Sequence, residues 1–186
     1  MKHFLVVLLL TGWALGQQST ARVQEQSART AVNNMPSADE LSELFKKAED
    51  KVAAFQNAVS AAKPQLDPLD THLAARYTDD ASTAEKILAA MKSKGASGYG
   101  LMMLLDALDT LTLDATDANM RLLVHNTAAN KLSDTATMLP MTSLKTALDG
   151  CNDISELLLH ASLRYIAGEE ALLKLYLEGG PPKPAR

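Results

Sequence analysis

Four residues are the candidates for chemistry in this chain: Asn119, Asn126, His125 and Cys151. Asn119 and Asn126 are seven residues apart, so on a helix they fall within about 20° of each other. They flank an apolar stripe of Leu108, Ala115 and Leu122. A buried Asn must be hydrogen-bonded or it costs about 1–3 kcal/mol. Two uses fit such a pair. One is a polar layer that fixes the register of packed helices. The other is a polar spot in a bundle cavity that takes a small ligand, with His125 and Cys151 nearby. The polar layer, or a seam edge open to water, is the expectation and the ligand spot its alternative.

Cys151 is the single cysteine, so no intrachain disulfide can form. Its expected place is a small buried core position; an intermolecular disulfide or a reactive thiol is the other use. Beyond the first segment the histidines are His72, His125 and His160. None belongs to an HExxH or Glu-x-x-His pair, and no CxxCH is present. A b-type haem needs only one or two axial ligands, and Met91, Met102, Met103 and Met120 could join a histidine. His160, between Glu156 and Arg164 on a helix, reads as solvated; His125 borders the seam. Asp106, Asp109, Asp114 and Asp117 lack the spacing and the turn glycine of a calcium loop and are expected on a solvated face. No GxSxG, SxxK or Cys–His signature occurs, and the glycines of 95–100 join helix to helix rather than strand to helix. No catalytic residue, metal ligand or cofactor is assigned.

The elements that would position these residues follow from composition and periodicity. The chain has 186 residues, 47% of them hydrophobic and 22% charged, with a formal net charge of −4. That balance suits one globular domain and gives no basic footprint for nucleic acid. Met1-Lys2-His3, the apolar run Phe4–Leu10 and the small residues Ala14 and Gly16 read as a secretory signal over 1–16, cut before Gln17. The apolar stretch is too short to span a bilayer, so no stable membrane insertion is expected after cleavage. Without it 17 basic residues face 22 acidic ones, and six aromatics remain, a poor supply for stacking platforms.

Residues 17–36, rich in Gln, Ser, Thr and Asn, read as a flexible leader. The ordered domain is expected over 37–178 and a flexible tail, GGPPKPAR, over 179–186. Ser37 and Glu40 form a capping box. Apolar residues at spacings of three and four then run to Lys63, where Pro64 is expected to stop the helix. Asp67-Pro68 is expected to open the second helix, with a kink or break near 78–83 where Ser82 and Glu85 form another capping box. The third helix should run from Ser97 toward Asn130. A connection over Ser133–Thr142 containing Pro140 should lead to a last helix from Thr142 or Ser143. No strand alternation appears. The sum is an all-α, antiparallel up-and-down bundle of about four long helices.

The functional expectation is an exported, non-enzymatic helical protein of the periplasm, cell envelope or extracellular space, acting as an interaction or accessory module. A small-ligand, haem or metal carrier built on the polar seam is the alternative. The partner would be a protein, unnamed by the sequence, and homo-oligomerisation is left open.

Overall fold

The computed structural model describes residues 23–149 and 151–179. The expected signal peptide, the start of the leader, Gly150 and the tail past Gly179 lie outside the described residues, as does the side chain of Cys151. Every described element is a helix: α1 over 23–33, α2 Ala38–Leu66, α3 Leu73–Lys94, α4 Gly98–Ala128, α5 Thr135–Asp149 and α6 Cys151–Gly179. The all-α class therefore holds, whereas the count of about four long helices does not.

The difference in count has local causes. Part of the segment read as a leader is α1, stiffened by an Arg29–Glu25 ion pair one turn apart and by burial of Ala28. Pro140 does not keep Ser133–Thr142 out of a helix; it sits inside α5. There Asp134 starts the element, its carboxylate accepting from Ala136 N–H at 3.0 Å. Pro64 likewise lies inside α2. Its missing N–H frees the carbonyl of Ser60, an exposed residue where water can take the bond. One further turn brings Leu66 to complete burial. Asp67 then ends α2 rather than starting α3: its N–H donates to Lys63 O at 2.9 Å and its carboxylate pairs with the Lys63 ammonium. No break occurs near 78–83: α3 runs as one helix through it. Thr78 and Thr83 turn their hydroxyls onto the carbonyls of Ala74 and Asp79, which satisfies them without leaving the helix. Tyr77, Ala81, Ala84 and Leu88 continue one buried stripe through the region. Ser37 caps as expected, accepting from Glu40 N–H at 3.1 Å, and Ser97, where the third helix is expected to start, caps α4 by accepting from Gly100 N–H at 3.0 Å.

The chain divides into two compact units. The larger is Pro36–Leu163. Within it α2 packs on α3, α3 on α4, α4 on α5 and α5 back on α2. Neighbours are antiparallel. Lys92 near the end of α3 pairs with Glu49 in the first half of α2. Gln65 at the end of α2 reaches Ala136 at the start of α5. Ser155 and Ser162 of α6 reach Asp109 and Met102 of α4 in reverse order. The core is leucine-rich on α4, where Leu101, Leu104, Leu108 and Leu122 are fully buried or nearly so, against Val52, Phe55 and Val59 of α2 and Tyr77 of α3. The other unit takes the described residues up to Met35 with those from Arg164 onward. There Arg164 Nε donates to Asn34 O at 2.8 Å. Gly168 is buried with Met35 packed where a Cβ would lie, a close approach only glycine allows.

Candidate functional site

Asn126 is the sequence candidate with the clearest role. It is 2% exposed, and its Nδ2 donates to Gln65 Oε1 at 3.3 Å with Met141 Sδ at 3.7 Å. Gln65 in turn donates from Nε2 to Ala136 O at 3.3 Å. The Ala136 carbonyl is the one that Pro140, four residues on, cannot serve. One amide from α2 thus takes the place of a missing helix N–H in α5 and is itself fixed by α4. The polar residue in the seam is spent on joining three helices. Gln65 carried no signal in the sequence; only its place opposite Pro140 gives it meaning.

The other candidates do not converge on Asn126. Asn119 is half-buried, and its Oδ1 is enclosed without a hydrogen-bond donor. His125 is exposed although it adjoins Asn126 in sequence. It lines an open groove of about 630 Å³ with a floor of Leu69, Met120, Val124 and Ala128 and with Asp117 and Arg121 at its edge. Met120 shares the groove but stands on the same helix as His125, whereas axial haem ligands oppose each other across the iron. Of the remaining methionines, Met91 is buried and Met102 Sδ accepts from Ser162 O–H at 3.1 Å. Among the described residues no group of three or more His, Cys, Asp or Glu is placed to hold a metal ion. Among them, too, no helix is long and apolar enough to cross a membrane.

The densest polar chemistry lies where the sequence suggested a solvated face, on the α3 side of α4. Asp114 is 8% exposed, not solvated. Arg76 Nη2 lies 3.1 Å from Asp117 Oδ2 and 3.5 Å from Asp114 Oδ1. Tyr77, wholly buried, donates its hydroxyl to Asp117 Oδ2 at 2.7 Å. Arg121 Nε donates to Asp117 Oδ1 at 2.9 Å. Burial opposes ionisation of Asp117, but hydrogen bonds from Arg121, Tyr77 and Arg76 outweigh it and hold the carboxyl below the usual range. Burial, and then the acceptor at Asp117, push the Tyr77 phenol well above its ordinary value. Asp114 moves the other way from Asp117. Burial first, and the neighbouring Asp80 carboxylate second, push it up to about 7.

The sequence held a trace of this cluster. Arg76 and Asp80 are one turn apart on α3, and Asp114 and Asp117 one turn apart on α4; antiparallel pairing sets them opposite each other. Chemically the cluster can hold a proton and clamp two helices. Asp114 does not line the groove beside it.

Comparison with known proteins finds no matching family model, no matching curated protein and no matching solved structure.

Proposed function

We propose that this chain is an exported, non-enzymatic helical protein that works by presenting helix surfaces to another protein. One observation carries the reading. Leu113, Met120 and Val124 lie within about 40° of one line along α4, on the side opposite its buried leucines. They are 71%, 53% and 65% exposed. Apolar side chains gathered on one outward face are a cost in water unless something covers them in use. Asn126, the fully buried candidate of the seam, is already committed to Gln65, which favours an interaction module over a carrier. The antiparallel pairs fit an up-and-down bundle in which α5 and α6 together take the fourth position.

The experiment is photo-crosslinking in the native host with a crosslinker at position 113, beside a variant carrying Met120→Glu and Val124→Glu. The expected result is a discrete protein adduct that the charged variant loses while its circular dichroism stays helical. A position 113 without adducts, or adducts indifferent to the added charge, refutes the reading. Export is tested separately by fractionation and N-terminal sequencing, with Gln17 expected as the first residue of the processed chain; an unprocessed chain retained in the cytoplasm refutes it.

A further inference from the structure

Counting charge around Asp114 gives three carboxylates, Asp80, Asp114 and Asp117, against two guanidinium groups, Arg76 and Arg121. The Tyr77 proton does not redress this, since it is donated to Asp117. Arg76 and both Asp117 oxygens are likewise engaged with each other and with Arg121. Asp114 Oδ2 is enclosed and accepts no hydrogen bond. Asp80 lies one turn beyond Arg76 on α3, which itself reaches Asp114, and its carboxylate is the neighbour that most opposes ionisation of Asp114. Among the described residues no buried compensating charge comes from the other helices. The buried residues of α2 are all apolar. Those described on α5 and α6 are apolar or hydroxyl-bearing. Asp79, beside Asp80, is exposed and would add only to the negative side.

We propose that Asp80 and Asp114 form a proton-operated clasp between α3 and α4. With one proton, the Asp114 hydroxyl donates to the Asp80 carboxylate and the enclosed oxygen gains a partner. When that proton leaves to solvent, two like charges face each other in a partly buried site, and the seam beside Tyr77 loosens. The folded chain thus holds a proton that the unfolded chain releases, so stability falls as pH rises through the clasp's titration. That is the reverse of an ordinary ion-paired aspartate.

The test is urea unfolding of the wild-type chain and of Asp114→Asn from pH 4.5 to 8.5. The Asn amide can donate to Asp80 as the protonated carboxyl does, and it cannot ionise. The unfolding constant of wild type relative to the variant is expected to rise about tenfold per pH unit between pH 5 and 6.5 and to level off above about pH 7. The variant should be the more stable of the two at pH 8. Parallel profiles for the two chains, or a variant less stable than wild type at pH 8, overturn the proposal. A second measurement needs no stable variant: carboxyl ¹³C shifts of labelled aspartate in the wild-type chain. One carboxyl titrating above pH 6, which moves to lower pH in Asp80→Asn, is the expected result. No carboxyl titrating above pH 5 overturns the clasp.

Discussion

Tyr77→Phe removes one oxygen from the interior and leaves the ring in place, so it isolates the bond to Asp117. That bond is short, 2.7 Å, and its acceptor is charged; hydrogen bonds to charged groups contribute about 1.5–3 kcal/mol. Asp117 is not orphaned by the change, because Arg76 and Arg121 still donate to it. The loss should therefore sit at the low end, about 1–2 kcal/mol. Asp117→Ala is a different perturbation. It strands the Tyr77 hydroxyl in a fully buried position and removes the partner of both arginines, so about 3 kcal/mol is expected from a buried donor left without an acceptor together with the lost ion pairs. Thermal and urea unfolding at pH 7 measure both, and the double variant closes the cycle with a coupling of about 1–2 kcal/mol. At about 2–4 °C per kcal/mol for a chain of this size, Tyr77→Phe should lower Tm by roughly 2–8 °C. A Tyr77→Phe loss below about 0.5 kcal/mol, or an Asp117→Ala loss no greater than that of Tyr77→Phe, would refute the reasoning, since the hydroxyl would then contribute nothing beyond its ring.

Three further outcomes are expected. Gln65→Leu should cost about 1–3 kcal/mol by stranding the buried Asn126 amide. Adding Pro140→Ala should recover about 1 kcal/mol by restoring the helix's own N–H; chemical denaturation of the single and double variants checks this. Leu122→Ala, in the filled core, should cost about 2–5 kcal/mol, whereas Leu113→Ala on the outward face should stay within about 0.5 kcal/mol; paired melting curves decide between them. Gly168→Ala should speed proteolysis within 23–35, because the new methyl collides with Met35, and Met35→Ala in the same chain should restore resistance.

Elements whose identity depends on neighbours in sequence were legible before the structure. The cap at Ser37, the start of α4 at Ser97 and the stripes of α2 and α4 all follow from spacing alone. What depends on a second helix was not. Asp114 looks solvated on α4 taken singly, and only the facing Arg76 and Asp80 of α3 explain why the chain can enclose it. The weak patterning at 78–83 suggests a break on sequence alone, although small Ala81 keeps the stripe packed there and the helix is continuous. Both proline errors share a cause: the rule against proline inside a helix assumes that the freed carbonyl has nowhere to go. Solvent near Ser60 and Gln65 beside Ala136 each supply a partner that sequence distance hides.

The dependence of Pro140 on Gln65 also orders events along the folding route. A peptide cut to 135–149 would carry the proline's defect without the remedy, so its first turn has little reason to form in isolation. Within the fold that turn is tied by a side-chain hydrogen bond to the far end of α2, some seventy residues upstream. The segment is thus a late addition to an assembly already begun by its neighbours, and a translating ribosome would release it before it can hold its shape alone.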